Sequence, residues 1–183
     1  MMTKEFLSYT SPDEFDKILE LVKPNNEFLG TKINLEKEPF KKVWDVKQIA
    51  TKGDILELIK CLTGKKEIEI LNSDYRAFMY FLKSIKNQLK EIARLEELLN
   101  EDNDPDLERA GSDELTDYGY VNYIDRFAQD DFLKWKKAEK RLKKTAWIVV
   151  YTKLKLDQTK NRIERNYLKI KHENNRLAQR ANL

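Results

Sequence analysis

Cysteine is almost missing from this chain. Cys61 is alone among 183 residues, so an intramolecular disulfide is impossible, and a reducing compartment is the natural expectation. Its setting, Leu58-Ile59-Lys60-Cys61-Leu62, reads as an apolar helix face on which a cysteine serves as a small hydrophobe. Histidine is as scarce. His172 is the sole imidazole, in the polar stretch Lys171-His172-Glu173-Asn174. Zinc sites of the Cys/His kind and classical triads therefore lack their parts. A Cys61–His172 pair is all the letters allow, and an exposed helix histidine is the plainer reading.

Glycine and proline number only five and four, and neither occurs after Gly119, so residues 120–183 contain no strong helix breaker. Sandwiches and barrels need turn residues at short, regular intervals, and this chain does not supply them. Long apolar runs are absent too. The longest, residues 146–151, has six residues, against the ~20 that span a bilayer. Met1-Met2-Thr3-Lys4-Glu5 offers no secretory core. A soluble protein is expected, cytoplasmic (or in the virion, for a viral chain), with no membrane partner.

Charge is what the chain has in excess. Asp, Glu, Lys and Arg make up 37% of it, well above the usual quarter or so. The net charge of +3 conceals an asymmetry: residues 1–131 hold 19 Lys/Arg against 28 Asp/Glu, whereas residues 132–183 hold 16 against 4. Two ends of opposite sign suit directional assembly or attachment to a polyanion.

Periodicity predicts a mainly all-α fold. Ser11-Pro12-Asp13-Glu14 is a capping box with proline in the first helical position, and Phe15, Ile18, Leu19 and Val22 follow at helical spacing. Phe40, Val43 and Trp44 suggest a second helix, and residues 54–62 a third, stopped at Gly64. Ile33 and Leu35 alternate, as do Ile68 and Ile70, so a minor β-hairpin pairing these two segments is expected. Phe78, Leu82, Ile85, Leu89, Ile92, Leu95 and Leu99 form a sustained stripe over residues 73–99. Three parts follow: a helical body over residues 1–99, an acidic linker over 100–119 with eight acids and one arginine, and a helical arm over 120–183.

The arm is the most informative part. Nothing interrupts a helix from about residue 132 to 180. Trp135, Leu142, Val149, Leu156, Ile163, Ile170 and Leu177 recur every seven residues. Positions three residues on are mostly polar, so the stripe is no self-sufficient zipper and points to a partner. Leu142, Val149, Leu156, Ile163, Ile170 and Leu177 are the candidate partner-binding residues. Lys136, Lys137, Lys140, Lys143, Lys144, Arg162 and Arg165 are candidate contacts to phosphate or to an acidic protein surface.

Other motifs dissolve on inspection. Thr63-Gly64-Lys65 resembles the end of a phosphate-binding loop, but Ile59 stands where the first glycine belongs. Asp102-Asn103-Asp104-Pro105-Asp106 resembles a calcium loop, with Leu107 in the glycine position. Pro12-Asp13 and Asp45-Val46-Lys47 supply the letters of a carboxylate nuclease, yet both lie in predicted helices. No catalytic residue, cofactor, metal or small-molecule substrate is expected. The expected function is that of a non-catalytic structural or assembly protein docking on other subunits, as a homo- or hetero-oligomer, through its C-terminal helix. The acidic front and basic helical tail are similar in general character to phage virion-assembly accessory proteins such as scaffolding proteins. The alternative is an accessory protein that binds DNA or RNA through the same helix.

Overall fold

The computed structural model describes the backbone of residues 1–100, 114 and 117–181, and the side chains of residues 1–99, 114 and 117–176. The fold is mainly all-α, with one two-stranded antiparallel sheet among the described residues. Helices α1 (Thr3–Tyr9) and α2 (Pro12–Leu21) lead into the hairpin β1 (Glu27–Phe28) and β2 (Thr31–Lys32). A 3₁₀ turn at Leu35–Lys37 precedes α3 (Phe40–Lys52), α4 (Ile55–Thr63), α5 (Glu67–Leu71) and the long α6 (Tyr75–Asn100). Further along the chain come α7 (Tyr120–Ala128), a 3₁₀ turn at Phe132–Lys134, α8 (Trp135–Leu142) and α9 (Trp147–Ala181).

Local signals account for several boundaries. Ser11 Oγ accepts from the Glu14 amide while the Glu14 carboxylate accepts from the Ser11 amide, the reciprocal cap expected at α2. Gly53 and Gly64 end α3 and α4 at φ +74° and +68°, a region that a side chain enters only at a cost. The hairpin, in contrast, is not where alternation predicts it. Its register is Glu27 opposite Lys32 and Phe28 opposite Thr31. Residues 67–71 form α5 instead, with Ile70 fully buried and Ile68 60% exposed. Two alternating isoleucines in so short a window satisfy a helical turn as readily as a strand.

One continuous core draws on both sides of residues 100–119. Phe6, Val43, Val46, Ile59, Phe78, Phe81, Ile85 and Ile92 belong to it, and so do Ile124, Ala138, Leu142, Trp147, Val150 and Leu154. Aromatic pairs join the layers: Phe28 stacks on Phe81 at 5.4 Å, and Tyr123 of α7 meets Phe40 and Trp44 of α3 at 5.0 and 5.5 Å. The acidic-linker expectation lies outside the described residues except at residues 100, 114 and 117–119.

The uninterrupted helix expected over residues 132–180 is broken. Residues 143–146 separate α8 from α9 without a glycine or proline. Tertiary hydrogen bonds cause the break. The Phe40 amide donates to the Thr145 carbonyl at 2.9 Å, and the Trp147 amide donates to the Glu38 carbonyl at 2.8 Å. Backbone groups that would have continued the helix are thus taken by residues 38–40, with Pro39 and Ala146 paired as an antiparallel bridge. Nothing in the periodicity of the arm registers such partners, which lie far upstream in the chain.

Candidate docking face and basic helix

The clasp at residues 143–146 changes what the seven-residue rhythm means. Leu142, on α8, is fully buried within its own chain. It is therefore a core residue and not a partner-binding one, which corrects the expectation for that position. Seven residues on, across the break, Val149 is 56% exposed. The repeat continues outward from there: Leu156 is 50%, Ile163 62% and Ile170 58% exposed. The Leu177 side chain lies outside the described residues.

Helix geometry explains the reversal. On α9 the body-facing side chains are Trp147, Val150 and Leu154, each almost fully buried. At 3.6 residues per turn, Leu156 stands about 200° round from Leu154, so the Leu156–Ile163–Ile170 stripe runs along the side opposite the body. Tyr167, four residues after Ile163, is also exposed and widens it. The inward stripe at 147, 150, 151, 154 and 158 was legible as apolar spacing, but the outward heptad overlaps it in residues 146–151 and masks its separate phase.

Two side chains fasten the start of α9 to the end of α6. Lys155 Nζ donates to the Leu98 carbonyl and Gln158 Nε2 to the Leu99 carbonyl, each at 2.6 Å. These are among the terminal carbonyls that no helix satisfies internally. After them the contacts thin out. From residue 160 to 176 every side chain is exposed except that of Arg165, which is half-buried. This largely exposed section is about 25 Å long at 1.5 Å per residue. A groove of about 530 Å³ beside Val149, lined by Phe127, Arg141, Lys153 and Asp157 among others, opens where α9 leaves α7 and α8.

The basic residues separate into two groups. At α8 and the turn after it, Lys136, Lys137, Lys140 and Lys144 are exposed and form no ion pair among the described residues. Lys143 is held by Glu139 at 2.6 Å. On α9, the same helical geometry puts Arg165 almost opposite the stripe and Arg162 on the adjoining flank, so neither is part of its rim. At the head of α8, the Trp135 indole N–H donates to Asp125 Oδ1 at 2.8 Å. Lys134 beside Asp131 at 2.9 Å holds that carboxyl below its ordinary range, chiefly through their hydrogen bond.

Other motifs are placed plainly. Cys61 sits half-buried on α4, where burial pushes the thiol up, and His172 is exposed on the far part of α9. Asp45 is paired with Lys41 within α3, Asp13 lies in the first turn of α2, and residues 102–107 are outside the described residues. No group of three or more potential metal ligands occurs among the described residues, and no described helix is long and apolar enough to cross a membrane. Comparisons with known protein families, with curated proteins and with solved structures return no match.

Proposed function

We propose that this chain is a non-catalytic structural or assembly protein that docks on partner protein subunits through the outer stripe of α9. The supporting observation is the placement of Leu156, Ile163, Tyr167 and Ile170, half or more exposed, on the face turned away from the body. An isolated helix with a narrow apolar stripe gains little in water alone, and packing supplies most of a helix's stability. Covering four large side chains that are each about half exposed is worth roughly 1 kcal/mol apiece at 25 cal/mol per Å². Association costs absorb much of that gain, so a single contact is weak. Repetition over many copies would make it firm, which suits an assembly component. Lys160 and Lys171 border the stripe, so the partner surface best suited to it carries acidic groups there.

The test is light scattering on the full chain and on complexes isolated with it, after nuclease treatment and in 1 M salt. The wild-type chain is expected in a defined oligomer or complex that persists. Leu156→Asp with Ile163→Asp should release it as a 21.8 kDa monomer with unchanged helicity. If both aspartates leave every complex intact, the reading is wrong.

A nucleic-acid-binding accessory role is the second reading. One observation favours it: four lysines at α8 and its following turn are solvent-facing and unpaired among the described residues, a sufficient electrostatic footprint for phosphate.

A further inference from the structure

The outer stripe of α9 carries charges of both signs along its edges. Measured round the helix from Ile163, Leu156, Tyr167 and Ile170 all fall within about 40°. Lys160 and Glu164 lie further round on one flank, at about 60° and 100°. Thr159, Asn166, Lys155 and Glu173 lie on the other flank, between about 40° and 80° from the centre. Lys160, Glu164 and Glu173 are exposed and form no ion pair among the described residues. Lys160 and Glu164 are four residues apart, the spacing at which Lys153 and Asp157 do pair, yet they do not pair with each other. Lys155 donates to the Leu98 carbonyl, which leaves its charge without a carboxylate among the described residues. Arg162, about 100° round on that flank, is engaged within its own chain.

We infer that the partner is a second copy of this chain, its α9 packed antiparallel on the stripe about a two-fold axis at Ile163. The inference rests on the docking reading of α9 and names the partner. Such a contact is isologous, so every pairing in it occurs twice. Leu156 comes level with Ile170 of the other copy, and Ile163 with its own equivalent. Lys160 falls between Glu164 and Tyr167 of the other copy, each within roughly 3 Å in height, and so meets a carboxylate and an aromatic ring. Glu173 comes opposite Lys155. Thr159 comes level with Asn166, so the polar positions of the heptad face each other and not an apolar side chain. Lys171 stands beside the Lys153–Asp157 ion pair, which carries no net charge. An acidic helix of another protein satisfies Lys160 but sets carboxylates against Glu164 and Glu173. The direction follows from where α9 is anchored. Trp147 to Gln158 is seated on the body, and residues 160–176 are largely exposed. Antiparallel pairing lays each exposed end on the seated turns of the other copy, so a marginal helix packs on a fixed surface. It also brings the last turn of the partner helix to the groove of about 530 Å³ beside Val149, walled by Phe127 and Arg141. Parallel pairing would set two bodies at one level and two unsupported ends together.

Disulfide trapping on the full chain decides the matter, with Cys61→Ala so that each variant carries one thiol. Helices about 8–10 Å apart bring the two Cα atoms at position 163 within disulfide reach, so Ile163→Cys should cross-link to itself under mild oxidation. Leu156→Cys and Ile170→Cys should each stay uncross-linked alone, because like positions then lie about 21 Å apart along the axis. Mixed, those two should cross-link to each other. Adding Lys160→Glu to Ile163→Cys should lower the yield, and adding Glu164→Lys as well should restore it. Self-cross-linking of Leu156→Cys and of Ile170→Cys would mean parallel pairing and overturn the inference. So would an absence of cross-links at all three positions. If Leu156→Asp with Ile163→Asp still releases the chain from its complexes in that case, the docking reading stands with a different protein as partner. If those aspartates release nothing, both readings fail.

Discussion

Trp147→Ala tests whether the arm and the body are one cooperative unit. Trp147 is 2% exposed, stacks on Tyr151 at 5.2 Å, and its amide closes the bridge to Glu38. Truncating a fully buried tryptophan to alanine costs about 3–5 kcal/mol in transfer and cavity terms. For a chain of this length each kcal/mol lowers Tm by about 2–4 °C, so a loss near 4 kcal/mol is a fall of roughly 8–16 °C. The residue lies in the segment that residues 38–40 hold. Its loss should therefore lower the melting of α1–α6 as well as α7–α9, in a single transition. Circular dichroism at 222 nm and the fluorescence of the remaining tryptophans should report the same midpoint. Two separated transitions, with the earlier one confined to the arm and the later one unmoved, would refute the single-core argument. So would a loss below about 1 kcal/mol, far under the cost of emptying a packed site.

Further outcomes follow from individual groups. Gly64→Ala should destabilise by about 1 kcal/mol in chemical denaturation, because a Cβ at φ +68° meets no neighbour and only backbone strain is added. The Tyr120 hydroxyl is buried without a hydrogen-bond partner among the described residues, so Tyr120→Phe should leave stability unchanged or raise it by about 1 kcal/mol. Burial pushes the Tyr120 phenol up to about 12. A raised folded-state value means that the folded chain holds this proton more tightly than the unfolded chain. Stability from this group is complete below about pH 10 and is lost as the pH rises toward 12, and Tyr120→Phe should remove that part of the alkaline loss. Cys61, its thiol raised by burial, should react with iodoacetamide at pH 8 more slowly than free cysteine, and at the free rate once unfolded.

Much of the architecture could be read from spacing. The Ser11 cap, the Gly64 stop, and the stripe of α6 from Phe78 to Ile92 are local or single-helix signals, and each appears in the structure as its pattern implies. Legibility fails where the cause is tertiary. The break after Leu142 is made by carbonyl and amide partners at residues 38–40, so the rhythm from Leu142 to Ile170 looks uniform although its first member faces inward and its later ones outward. The hairpin at residues 27–32 escaped because it is two residues per strand, joined by Leu29 and Gly30 at φ +48° and +75°, too short to alternate. At the candidate sites, the lysines of α8 and the outward heptad were visible as letters. The exposure of Phe132, in the turn that precedes α8, was not, since an aromatic residue in an apolar pattern ordinarily reads as core.

Helix α9 is anchored along its first turns by Trp147, Val150, Leu154, Lys155 and Gln158, and largely exposed from residue 160 to 176. Its amides should therefore exchange with solvent deuterium in two regimes. Those near Val150 open only when the whole core opens. Those near Ile170 open with the fraying of a solvated helix. A docked subunit needs no structural rearrangement to make itself known: it would move the border between slow and fast amides toward the C-terminus, and the distance moved would measure how much of the stripe it covers.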